Sequence, residues 1–165
     1  QNIFINKMFE CKDNDNYFTP KEAWENIKDF IPKNKIIWEA FYGDGKSGEY
    51  LEELGFEVIH KPVDFFTNDL GDIIVSNPPF SLCQKIISRM KVIQKPFIMI
   101  LPCQKMCYQY FKSFGKDNKE LQIIIPKKRI NFNYEEKDES KRSSANFDCF
   151  YYCWKMNLEN DITFL

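Results

Sequence analysis

Apolar residues along the chain fall into short runs whose period changes from run to run, with polar or glycine-rich punctuation between them. Ala23, Trp24, Ile27 and Phe30 recur at helical spacing behind Thr19-Pro20. That pair is a helix-start signal, because a hydroxyl caps free amides and proline suits the first turn. Pro32 ends the predicted helix, since it cannot continue the hydrogen-bond ladder. Residues 36–41, apolar except for Glu39, read as a buried strand. A glycine-rich turn over 42–48 and a helix carrying Tyr50, Leu51 and Leu54 follow, with Gly55 as the stop and 56–60 as the next strand. Strand, turn, helix and strand make a βαβ unit, which implies parallel pairing and a right-handed crossover. Further strands are predicted over 72–76, 96–101, 121–125 and 146–155, with helices over 81–93 and 103–114. The expected architecture is α/β, a mixed and mostly parallel sheet with helices on both faces.

The segment 135–144 is rich in charge and contains no apolar side chain, so 133–145 is predicted to be a solvated, mobile loop on the substrate side. No internal repeat or linker divides the chain. Its 165 residues and 19.8 kDa read as a single domain over 1–165, large enough to fold without disulfides or metal. No apolar run approaches the roughly 20 residues of a membrane span, and no signal peptide opens the sequence. The expected location is therefore intracellular, with neither membrane nor secretion.

Charge narrows the candidate partners. Twenty-three basic residues against 24 acidic leave a net −1. A protein gripping nucleic acid over its whole surface is far more basic, so any phosphate contact must be local. Six cysteines raise the question of metal, with Cys103 and Cys107 four apart, as are Cys149 and Cys153. The second pair lies in the aromatic run 150–154, and the one histidine, His60, follows an apolar strand. Buried reduced thiols are expected, and no metal.

Two turns carry candidate chemistry. In an α/β sheet, loops at the carboxyl ends of strands face the ligand crevice, and glycines such as Gly43 and Gly45 let the backbone approach a ligand. The second turn is Asn77-Pro78-Pro79-Phe80. Paired prolines stiffen the backbone. An asparagine oxygen and a neighbouring carbonyl can then accept two hydrogen bonds from one amino group, while an aromatic ring stacks on a flat heterocycle.

Ser76-Asn77-Pro78-Pro79-Phe80, after a strand opened by Asp72, resembles the catalytic motif of amino-methyltransferases, which act mostly on adenine N6 in DNA. Glu39-Ala40-Phe41-Tyr42-Gly43-Asp44-Gly45 is similar to the family's S-adenosylmethionine motif. Tyr17-Phe18-Thr19-Pro20 resembles its aromatic-Thr-Pro segment at the methionine end of the cofactor, and Asp64-Phe65-Phe66 its adenine-binding pair. Motif order and the segment 126–132 are closest to small adenine methyltransferases of phages and large DNA viruses. The bias toward Phe, Asn, Lys and Ile suits an AT-rich genome of that kind.

The resemblance spans about 17–154. It implies a reduced Rossmann-like methyltransferase fold, with S-adenosyl-L-methionine bound by Tyr17, Phe18, Thr19, Pro20, Glu39, Ala40, Phe41, Gly43, Gly45, Asp64, Phe65 and Asn77. The implied catalytic residues are Asn77, Pro78, Pro79 and Phe80, acting on a base flipped out of DNA. Lys127, Lys128 and Arg129 are expected to meet phosphate, and Phe132 or Tyr134 to stack on the base opposite Phe80. Lys85, Arg89, Lys91 and Lys95 form a second basic cluster. The chain departs from the family where His60-Lys61-Pro62 replaces an acid after the second strand. The short 45–77 interval predicts the loss of a crossover helix, and no residues remain for a target-recognition domain. Specificity is then short, weak, or supplied by a second copy or another partner. An RNA adenine or cytosine N4 methyltransferase and a catalytically silent subunit are the alternative readings.

Overall fold

The computed structural model describes residues 17–132 and 147–165. The predicted loop over 133–145, with Tyr134, lies outside them, as does Cys11.

Seven strands form one sheet: β1 (Ile37–Trp38), β2 (Val58–Ile59), β3 (Ile73–Ser76), β4 (Phe97–Pro102), β5 (Leu121–Ile125), β6 (Cys149–Trp154) and β7 (Ile162–Phe164). Their spatial order is β2-β1-β3-β4-β6-β5-β7. All neighbouring pairs are parallel except the two made by β6, which runs against both β4 and β5. The sheet is thus mixed and mostly parallel, as expected. Strand β7, which the sequence reading did not predict, lies at the edge with Ile162 and Phe164 exposed.

Among the described residues, four α-helices cover the sheet: α1 (Lys21–Glu25), α2 (Lys46–Glu53), α3 (Cys83–Ile93) and α4 (Gln109–Asp117). Side chains alternate across a strand, and β6 shows how the layers are divided. The Tyr151 hydroxyl donates to the Ala23 carbonyl in α1 at 2.7 Å, whereas Tyr152 meets Phe111 of α4 edge-on at 5.0 Å between centroids. Helices α1 and α2 touch each other, as do α3 and α4. One pair therefore packs on each face.

The core is unusually aromatic. Trp24, Trp38, Trp154, Tyr151, Tyr152, Phe65, Phe97 and Phe114 are all fully buried. Large rings of this kind fill the two layers with few residues.

Several boundaries differ from the predicted ones. Thr19 does not cap α1: Pro20 occupies the N-cap position without a side-chain bond, and the buried Thr19 hydroxyl has no partner. The helix itself is five residues long and continues only as a 3-10 turn over Lys28–Phe30, so Ile27 and Phe30 pack from a looser backbone. The predicted helix over 103–114 divides into a 3-10 turn, Cys103–Cys107, and α4, which starts at Gln109. Between β2 and β3 the chain crosses without a helix, so this crossover is shortened as expected.

Among the described residues, no helix is long and apolar enough to cross a membrane. No group of three or more His, Cys, Asp or Glu is placed to hold a metal ion, and the five described cysteines are unbridged. Burial pushes the thiols of Cys83, Cys149 and Cys153 up in pKa, with that of Cys153 at about 12.

The Tyr151 hydroxyl is the polar link between β6 and α1. Replacing it, in Tyr151→Phe, leaves the Ala23 carbonyl buried without its donor and should cost about 1–2 kcal/mol. Urea unfolding should show a lower midpoint at unchanged slope; an unchanged midpoint would mean that the bond contributes nothing net.

Candidate active site at the strand ends

The sheet order reverses at β1, which has β2 on one side and β3 on the other. Crevices outside the carboxyl ends of strands at such a switch point are where open α/β sheets bind ligands. The two candidate motifs leave from β1 and β3 and are therefore neighbours there.

A buried hydrogen bond ties them together. Ser76 closes β3, is fully buried, and donates its hydroxyl to Oε1 of Glu39. The same Ser76 Oγ accepts from the Phe41 amide at 3.3 Å. Glu39 is 1% exposed, and its Oε2 has no partner. Burial raises its pKa from 4.5 to about 7, against the opposing pull of the Ser76 hydroxyl and the Phe41 amide. A half-satisfied carboxyl of this kind suits a cationic ligand group.

The turn after β1 is shaped by glycine. Gly43 and Gly45 both have positive φ, at 56° and 84°, which side-chain-bearing residues rarely adopt. A Cβ on Gly43 would lie 3.7 Å from the Phe18 ring, so the 17–20 segment runs beside this turn. Ala40 and Phe41 are buried, with the Phe41 ring 4.8 Å from Phe65. Gly48 is needed for a different reason. A Cβ there would come within 2.3 Å of the His60 ring, so His60 packs into the space its absence leaves on α2. His60 also stacks on Tyr42 at 6.1 Å and approaches Glu52 at 3.4 Å.

Asn77 has one end of its amide fixed. Its Nδ2 donates to the Tyr17 carbonyl at 2.7 Å, and that bond sets which way the amide points. Its Oδ1 is buried with no partner. The Pro78 carbonyl likewise accepts no hydrogen bond among the described residues. Pro79 precedes a short 3-10 turn, Phe80–Leu82, and the Lys105 ammonium donates to the Phe80 carbonyl at 3.0 Å.

Phe80 is itself enclosed. The Tyr17 ring stacks on it at 5.3 Å and 24°, while Phe132 and Phe147 meet it edge-on at 6.1 and 5.6 Å. Phe132 thus does come beside Phe80, yet Tyr17 holds the stacked position that the sequence reading reserved for a base.

The other expected site residues divide. Asp64 caps its own turn, with Oδ1 accepting from the Phe66 amide at 2.9 Å and Oδ2 from the Thr67 hydroxyl at 3.3 Å. Phe65 is core between Trp38 and Phe41, leaving half-buried Phe66 as the ring that borders a groove beside α3. Lys127 and Lys128 are exposed. Arg129 grips Asp148 through two bonds of 2.8 and 3.1 Å. In the second basic cluster, Lys95 pairs with Asp69 and donates to the Leu70 and Gly71 carbonyls, and Arg89 donates to the Asn68 carbonyl. Those two brace the 68–71 loop.

The role of Ser76 was not anticipated. Its signal is present in the sequence, as a polar residue ending an otherwise apolar strand directly before Asn77. Neither protein-family models nor curated proteins contain a match to this chain.

The raised Glu39 pKa has a definite sign. The fold favours the protonated form, so the contribution of this group is greatest below pH 4.5 and falls as pH rises through 7. The loss amounts to about 3 kcal/mol. Glu39→Gln should therefore be more stable than the wild type at pH 8 and close to it at pH 4. Parallel unfolding curves for the two proteins at both pH values would contradict the assignment.

Proposed function

We propose that this chain is an S-adenosyl-L-methionine-dependent methyltransferase acting on the exocyclic N6 amino group of adenine in DNA, built on a reduced Rossmann-like fold. The observation that carries the reading is the Asn77 side chain. One end of its amide is anchored, and the other presents a buried acceptor beside an unengaged Pro78 carbonyl and an aromatic ring. Two acceptors from consecutive residues next to a ring suit an amino group on a planar base.

The cofactor residues fit the same reading. Glu39 Oε2 and Thr19 Oγ1 are buried polar atoms without partners, beside a turn whose glycines hold the backbone open. Glu39 would meet the ammonium of the methionine end, and that positive charge would draw its pKa back down. Phe66 is the ring best exposed to meet the adenine end. The cofactor brings a methyl group already activated on a sulfonium, so the protein supplies alignment.

Adenine N6 is a weak nucleophile, because its lone pair is delocalised into the ring. Asn77 Oδ1 and the Pro78 carbonyl would accept its two protons, favour a pyramidal nitrogen and stabilise the positive charge that develops during transfer. The proton leaves after transfer, when the nitrogen has become acidic, so no dedicated base is needed. Phe80 would stack on the base, which requires the Tyr17 ring to move aside. Lys105 fixes the Phe80 backbone, and Ser76 holds the catalytic turn against the cofactor turn.

The test is incubation with S-adenosyl-L-methionine and DNA or RNA, followed by nucleoside mass spectrometry. N6-methyladenine in DNA is expected. N4-methylcytosine, or product in RNA alone, would replace the substrate assignment, and no product with any substrate would defeat the reading. Asn77→Ala should lower transfer about 10²–10³-fold, the scale of losing one preorganised transition-state hydrogen bond. Its thermal midpoint should stay near that of the wild type.

A further inference from the structure

Beside the catalytic turn lies an open groove of about 600 Å³ to which none of the motifs above assigns a role. Its walls include Phe80, Gln84, Lys105, Tyr108, Gln109 and Tyr110. Tyr108 is 50% exposed and stacks on Tyr110 at 5.8 Å and 22°. The Lys105 ammonium sits 5.1 Å from the Tyr108 ring centre while it holds the Phe80 carbonyl. Tyr108 also precedes α4, and its carbonyl accepts from the Lys112 amide at 3.0 Å, which sets its backbone.

The charge around this groove is one-sided. From 73 to 116 the chain carries seven cations, Lys85, Arg89, Lys91, Lys95, Lys105, Lys112 and Lys116, and no aspartate or glutamate. This stretch includes α3 and all of α4 except its last residue, Asp117, and the two helices pack together on one face of the sheet. In a chain whose net charge is −1, that face is the basic one. Lys85, Lys91, Lys112 and Lys116 are exposed on it.

We infer that the groove binds the unpaired DNA strand next to the target base, with Tyr108 as the stacking platform for a neighbouring nucleotide. Three features favour this occupant. Phe80 belongs both to the groove and to the Asn77 pocket, so a strand lying in the groove is continuous with a base entering the pocket. An exposed tyrosine backed by a second ring offers a π-face that any unstacked base can use. The exposed ammonium groups of Lys85, Lys91, Lys112 and Lys116 complement a phosphate backbone. Gln84 and Gln109 add amide groups at the walls. The inference rests on the proposed adenine-methylating function, which supplies DNA as the substrate, and it moves the nucleic-acid grip from Lys127–Arg129 toward α3 and α4.

The experiment measures fluorescence anisotropy of a fluorescein-labelled single-stranded oligodeoxynucleotide containing one adenine, with its duplex and its RNA counterpart as further arms. The full chain should prefer the single strand. Tyr108→Ala should weaken that binding about tenfold or more, and Tyr108→Trp should restore it. Unchanged affinity in Tyr108→Ala, a preference for duplex, or tighter binding of the RNA would overturn the inference. As a check independent of variant folding, 5-iododeoxyuridine placed one nucleotide from the adenine should photocross-link the wild-type protein at Tyr108; cross-linking elsewhere would overturn it. The two readings fail separately. Methylation with Tyr108-independent binding removes only the groove, whereas Tyr108-dependent binding without methylation of any substrate removes only the catalytic function.

Discussion

The candidate site depends on a single buried contact, the hydrogen bond from the Ser76 hydroxyl to Glu39. It joins the ends of β1 and β3, and each of those ends feeds one of the two functional turns. Because Ser76 also receives the Phe41 amide, it fixes the start of the glycine turn as well as the start of the Asn-Pro-Pro-Phe turn. Burying a carboxyl is costly, and here part of the cost persists, since one Glu39 oxygen has no partner. Such a cost is typical of a site prepared for a charged ligand.

Much of the fold was legible from hydrophobic periodicity. The mostly apolar runs over 72–76, 96–101 and 121–125 became β3, β4 and β5 nearly residue for residue, because strands buried on both faces are predominantly apolar. Helix ends were less legible. Thr19-Pro20 looks like a capping pair, yet the threonine hydroxyl points to no helical amide, because tertiary packing of the 17–20 segment beside Gly43 overrides the local preference. Strand β7 escaped notice because 162–164 is short and mostly exposed, and carries no burial pattern.

The site was legible where backbone chemistry is unusual, and less so where side chains choose partners. Paired prolines and positive-φ glycines announce themselves. That Lys95 would serve a neighbouring loop and Arg129 the carboxylate of Asp148 depends on distant segments that no local spacing encodes. Net charge was misleading in the same way. A total of −1 conceals a long stretch without any acidic residue, and only the packing of α3 against α4 turns that stretch into one basic face.

The stack of Tyr17 on Phe80 has a consequence for selectivity. Phe80 already carries a planar aromatic ring on its face, and that ring's own backbone carbonyl is held by the Asn77 amide. Entry of a base in the proposed reaction is therefore an exchange of one ring for another, with no vacant apolar surface to reward it. A base still paired in a duplex must be unstacked and must also evict the tyrosine, while an already unpaired base faces only the second cost. Under the proposed function, occupancy by Tyr17 would set a threshold for admission: it would lower the apparent affinity for a base by the fraction of time the ring is out. In the proposed reaction, this exchange would favour exposed bases over paired ones.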